Sequence, residues 1–167
     1  MSTKQITRIA LFSALALVLR MSFSHLPNIQ PITALFLIYS LVYGFYESIL
    51  VMSVCMLVTS FLLGFGPWVF WQITSFALII FLWKVLFYPL TRGLKKYRLV
   101  LQALLAGLCG LFYGIVIDSC FAYLYSMPWW SYVLAGMSFN IAHACATLLF
   151  YPILLSIFRR LTHEKLI

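Results

Sequence analysis

Apolar residues run through this chain in long stretches, and polar residues gather at a few breaks between them. The first apolar run, Ile6–Phe23, approaches the roughly 20 residues that a helix needs to cross a bilayer. Ser24-His25-Leu26-Pro27-Asn28-Ile29-Gln30-Pro31 then interrupts it, with two prolines and several polar groups marking an ordered loop. Ile32 to Leu63 would be about 48 Å long as one helix, whereas the hydrocarbon core is about 30 Å thick. It must break, and Gly44 and Glu47 near its middle supply the break, so helices are predicted at Ile32–Tyr43 and Ser48–Leu63. Gly64-Phe65-Gly66-Pro67-Trp68 precedes a helix predicted over Val69–Leu90. The charged stretch Arg92–Arg98 separates it from Leu99–Tyr125, and Ser126-Met127-Pro128-Trp129-Trp130 leads into a last helix over Ser131–Phe158. No internal repeat or low-complexity segment is evident.

Composition decides what surrounds these helices. Of the 167 residues, 65% are hydrophobic and 8% charged, against about 45–50% and 25% in soluble domains. The bilayer must solvate most of this surface, and it admits only helices or a closed barrel. Barrel strands alternate apolar and polar residues. Ile9–Leu19 and Val100–Leu105 do not, so an all-α integral membrane protein is expected, with residues 1–167 forming one domain.

The net charge of +8 would point to nucleic acid in a soluble protein. Here the basic residues sit at helix ends, which is the positive-inside pattern. Six transmembrane helices with both termini cytoplasmic place Lys4 and Arg8, the Arg92–Arg98 loop, and Arg159, Arg160 and Lys165 on one side. Five or seven spans would put one of these clusters outside. The outer loops are then His25–Pro31, Gly64–Trp68 and Ser126–Trp130. Lys4 and Arg8 before an apolar run, with Ala14-Leu15-Ala16 beyond, resemble a signal peptide. The apolar run continues past that site, so a first membrane helix is the expected reading. Cys55, Cys109, Cys120 and Cys145 lie inside apolar spans without C-x-x-C spacing, so no disulfide framework, metal site or cofactor is expected.

Polar groups deep in such helices are few and therefore informative. A charge at mid-span costs about 2.5–3.5 kcal/mol on insertion scales. Asp118 is the acid well inside a span. At about 100° per residue it shares a stripe with Gly107, Gly110 and Gly114, and Gly110-x-x-x-Gly114 is a close-packing pattern. Asp118 therefore faces protein or a cavity, as a ligand contact or as a structural hydrogen-bonding group. Gly136, Asn140, His143 and Thr147 share a stripe on the last helix, read either as pocket lining or as interhelical hydrogen bonding. A lone His without a second ligand at metal spacing is weak support for a metal. Arg20, at the outer end of the first helix, has a bland reading as a side chain snorkelling to headgroups. Gln72 opens the fourth helix on the outer side. Trp68, Trp71, Trp129 and Trp130 gather there as well, as interfacial anchors or as aromatic pocket walls. No catalytic triad spacing, zinc-protease motif or carboxylate pair is present, so enzymatic chemistry is not expected. A phosphate-binding loop is also missing, so energy from ATP would come from a partner chain.

Taken together, these features resemble the S-components, the substrate-binding membrane subunits of energy-coupling factor (ECF) vitamin transporters. The resemblance runs over nearly the whole chain. It includes Thr7-Arg8-Ile9-Ala10-Leu11-Phe12-Ser13-Ala14-Leu15-Ala16 opening helix one, the outer segment Leu26-Pro27-Asn28-Ile29-Gln30-Pro31, and Leu149-Phe150-Tyr151-Pro152 before a basic tail. It implies capture of a vitamin from outside and partnership with a transmembrane coupling protein and two cytosolic ATPases. It also implies docking through the small-residue face of helix one, here Ala10 and Ala14, and toppling of the loaded subunit in the membrane.

Pro27–Pro31 and Gly64–Trp68 look most like the cobalamin subgroup. The expected substrate contacts are Asn28, Gln30, Trp68, Gln72, Asp118, Asn140 and His143. Neutral hydrogen-bonding groups dominate this set, and a broad ligand bearing many amides suits them. Pantothenate, which would depend on Arg20, and a pyrimidine stand as alternative vitamins. A membrane scaffold of the rod-shape-determining kind is the non-transport alternative. A small channel or proton-coupled carrier would need an acidic relay, for which Asp118 alone is thin support.

Overall fold

The computed structural model describes residues 1–94 and 96–162; Lys95 and Lys165, counted above in the basic clusters, lie outside the described residues. Among the described residues the chain forms six helices: α1 Thr3–Ser22, α2 Ile32–Tyr43, α3 Phe45–Leu63, α4 Trp68–Leu90, α5 Arg98–Leu124 and α6 Trp129–Thr162. All but α2 are long and apolar enough to cross a membrane.

The 12 residues of α2 reach about 18 Å. Ile32 through Ser40 are buried without interruption, and α2 touches each of the other five helices. A helix that is apolar all round signals such enclosure. Phe36 and Tyr39 of α2 and, from the neighbouring helices, Met52, Met56, Ile79, Trp83, Tyr151 and Phe158 have almost no exposure. α1 is the peripheral helix: only Ile9, Ser13 and Ala16 are buried, and it packs chiefly on α3.

One boundary and one stretch of helix differ from the sequence expectation for physical reasons. Gly44 alone separates α2 from α3, at a φ of 97° that L side chains rarely adopt. Glu47 therefore lies in the first turn of α3 instead of a loop. Its carboxylate takes a forked pair from Arg8, Nη2–Oε1 at 2.7 Å and Nε–Oε2 at 3.0 Å. The Tyr39 hydroxyl donates to it at 3.3 Å, and the Arg8 guanidinium lies 4.1 Å from the Tyr43 ring centroid. This charge-assisted fork ties the start of α1 to the α2–α3 turn. The second difference is in α4. Pro89 can offer no N–H, and just before it the helix widens into a π-helical turn at Trp83–Phe87, where Tyr88 N–H donates to Trp83 C=O.

Successive helices run in opposite directions. Phe12 packs on Tyr39, Tyr43 and Phe158, Phe45 on Phe81, and Arg98 donates to the Tyr88 hydroxyl at 3.2 Å. One end of the bundle thus holds the start of α1, the α2–α3 turn, the end of α4, the start of α5 and the end of α6. Lys4, Arg8, Arg92, Lys96, Arg98, Arg159 and Arg160 belong to that end. Arg20 is the basic side chain at the opposite end among the described Lys and Arg residues.

Candidate functional site

At the end remote from the basic clusters, the segment after α1 turns back into the bundle instead of lying on its surface. Asn28 adopts the left-handed conformation, φ 58°, which Asn tolerates better than most residues. Its side-chain Nδ2 donates to the Phe139 carbonyl at 3.2 Å, and its own carbonyl lies 3.2 Å from His143 Nδ1. A carbonyl only accepts, so Nδ1 carries the proton. The neutral ring's Nε2 then accepts from the Thr33 hydroxyl at 2.9 Å. His143 thereby staples the entry segment and α2 to α6 with both ring nitrogens.

The stripes on α5 and α6 face each other. Asn140 Nδ2 donates to Asp118 Oδ2 at 2.7 Å. Each of these side chains fits against a glycine of the other helix: a Cβ at Gly114 would overlap the Asn140 amide, and one at Gly136 would overlap the Asp118 carboxylate. Close helix approach through small residues is therefore what brings the polar pair together. The α5–α6 interface is the most extensive in the bundle.

Beside this pair is an open cavity of about 430 Å³, lined by Asn28, Gln72, Asp118 and Asn140 and walled by Tyr113, Phe121, Tyr132 and Phe139. A deeper cavity of about 90 Å³ adjoins it, bordered by Arg20, Gln30, Phe76 and His143. Asn28, Gln72 and Tyr113 line both. Tyr113 stacks on Phe76 with ring centroids 4.0 Å apart and lies 5.2 Å from the His143 ring. Arg20 turns inward: one Nη meets Met56 Sδ, and Nη2 lies 3.5 Å from Gln72 Oε1. The snorkelling reading of Arg20 is thus replaced by one in which it borders the deeper cavity.

Of the residues nominated from sequence, Asn28, Gln30, Gln72, Asp118, Asn140 and His143 come together around these two cavities. Trp68 does not line either one and folds over Gly66. Trp129 and Trp130 are exposed, and Trp129 Nε1 donates to Ser119 Oγ at 2.8 Å. The aromatic walls come instead from Tyr113 and Phe121 on α5 and Tyr132 and Phe139 on α6, none of which the sequence reading singled out. Their spacing, beside the glycine stripes, was the available signal.

Ala10 and Ala14 are far from this site in the fold. Both are exposed on α1, at the rim of an apolar groove of about 270 Å³ between α1 and α3 that includes Leu17, Val54 and Val58.

The family model for the ECF transporter, substrate-specific component, matches residues 4–155. No match to the chain is found among curated proteins or among solved structures.

Proposed function

The chain belongs to the substrate-specific components of ECF transporters, and on that premise we propose that it captures a compact vitamin in the cavity between Asn28, Gln72, Asp118 and Asn140. Members of the family are membrane transport subunits, not enzymes. They bind a small molecule and work with a membrane coupling protein and ATPases. The carrying observation is the position of the cavity. It combines neutral hydrogen-bonding groups with aromatic walls, as ligand sites do, and it opens at the end of the bundle opposite the basic residues. With those residues cytoplasmic, the chain is one six-helix domain of the cell membrane, five long helices around the short α2, with both termini inside and the cavity facing out. A scaffold needs no such cavity.

Size supports a compact ligand. A volume of about 430 Å³ is near the lower end of the small-molecule range, about 300–1,000 Å³. Pantothenate or a pyrimidine fits that scale. Cobalamin, favoured by the loop resemblance, would project far through the mouth. In this reading Asn28, Gln30, Gln72, Asp118 and Asn140 touch the ligand, His143 holds the entry segment in place, and Trp68 is left out of the contact set.

Titration of the purified full-length chain by calorimetry is expected to give saturable binding of a compact vitamin and none of cobalamin. Cobalamin binding would reverse the size argument. Orientation is checked separately with Lys96→Cys in a cysteine-free background. An impermeant maleimide should not label it in intact cells, and labelling there would invert the topology.

A further inference from the structure

Two charges of opposite sign border the cavities, and neither has a counter-charge among the described residues, where Arg8–Glu47 is the one ion pair. Asp118 accepts from Asn140 at Oδ2 and faces the larger cavity. Arg20 borders the deeper one. Its Nε is buried without an acceptor, and its other nitrogens meet a thioether and an amide oxygen at the long end of hydrogen-bond range. Neither is an adequate replacement for a carboxylate. Ionisable groups inside membrane helices normally find partners, and Arg8 shows that this chain builds a full fork where a charge is meant to be closed off. Arg98 Nε is likewise buried without an acceptor at the basic end, but its guanidinium still donates to the Tyr88 hydroxyl. Asp118 and Arg20 are the charges without a counter-charge that border the cavities.

We propose that the ligand itself closes these two charges and is therefore bipolar. Its cationic or N–H-rich end meets Asp118, and its carboxylate or carbonyl end points to Arg20. The shared lining of Asn28, Gln72 and Tyr113 makes the two cavities one path for a single molecule. Asn140 holds Asp118 Oδ2, which leaves Oδ1 for the ligand. Phe121, Tyr132 and Phe139 wall the same cavity and suit a flat, electron-poor ring. The class is an amino-substituted nitrogen heterocycle carrying an acidic or carbonyl end. A plain anion such as pantothenate uses only Arg20, and cobalamin, whose one anionic group is a phosphodiester on a molecule too large for the deeper cavity, does not bridge the two charges. This inference rests on the vitamin-capture reading and narrows it.

The test uses the full-length chain purified from membranes into nanodiscs. Ligand released on denaturation is identified by mass. It is then titrated alongside pterin-6-carboxylate as the bipolar probe, thiamine as the cationic probe and pantothenate as the anionic probe. The released ligand is expected to carry both ends. Asp118→Asn and Arg20→Gln are each expected to weaken bipolar binding by about 10- to 100-fold, the scale of a hydrogen bond to a charged group. The amide oxygen introduced by Asp118→Asn can still accept from Asn140, so that variant should keep its unfolding midpoint. A released ligand lacking either end overturns the proposal, as does bipolar binding that neither variant weakens. Tighter binding of thiamine or pantothenate than of the bipolar probe overturns it too while leaving vitamin capture intact. If nothing is released and no probe binds, the capture reading falls with it.

Discussion

Tryptophan in place of Ala10 or Ala14 is expected to reduce vitamin uptake in cells more than about tenfold, a loss of at least about 1.4 kcal/mol in docking. Ligand affinity of the isolated chain should stay within about twofold. The two alanines are exposed on α1, and their missing side-chain bulk leaves the groove against α3 open. Without a hydrophobic driving force between helices in lipid, close approach of backbones is what holds a helix pair together. An indole at either position would hold the proposed coupling protein away from α1. Binding is spared because Ala10 and Ala14 are exposed along the α1–α3 groove and line neither of the cavities beside Asp118 and Arg20. Ile153→Trp on the exposed face of α6 serves as the control and should transport normally. Uptake at the original rate in both alanine variants would remove the docking face from α1.

Much of the helical framework was legible because each break carries its own chemistry: Pro27 and Pro31, Gly64 to Pro67, and Pro128 all end apolar runs. The opposed stripes were legible too, since glycine and polar residues at helical spacing have a packing consequence within their own helix. That Gly114 receives Asn140 and Gly136 receives Asp118 was not, because spacing says which face a residue occupies and not which helix it meets. Glu47 was assigned to a turn for the same reason. It lies in α3 because Gly44 alone makes the turn, and its partner Arg8 is 39 positions earlier in the chain. Arg20 shows another kind of gap. A long side chain at a helix end can reach headgroups or fold inward, and only the positions of Met56 and Gln72 decide between them. Tryptophans drew attention as pocket walls because they are the bulkiest aromatics near the outer end. In the fold the walls are Phe and Tyr residues of α5 and α6 around the Asp118–Asn140 pair.

The second large effect is expected at those glycines. Gly114→Ala should abolish high-affinity ligand binding and lower the thermal unfolding midpoint in detergent. The added Cβ would occupy the space of the Asn140 amide. Either α5 and α6 separate, or Asn140 swings away from Asp118. Overpacking of this kind costs about 1–3 kcal/mol, and a lost hydrogen bond to a charged group about 1.5–3 kcal/mol. Gly136→Ala should behave alike, because its Cβ would strike the Asp118 carboxylate itself. Gly107→Ala is the milder neighbour. Its nearest contacts are the Ala144 carbonyl and Leu148 Cβ, both at 3.1 Å, so a small shift relieves it and binding should persist. The decisive variant is Gly114→Ala combined with Asn140→Ala, which takes away the amide that the new methyl group meets. Stability should recover in part, since the steric conflict is largely gone. Binding should not recover, since Asp118 has lost the amide that orients it. Calorimetric titration and unfolding curves on the same preparations separate the two. Wild-type affinity in the double variant would show that the Asp118–Asn140 pair packs the helices without recognising the ligand.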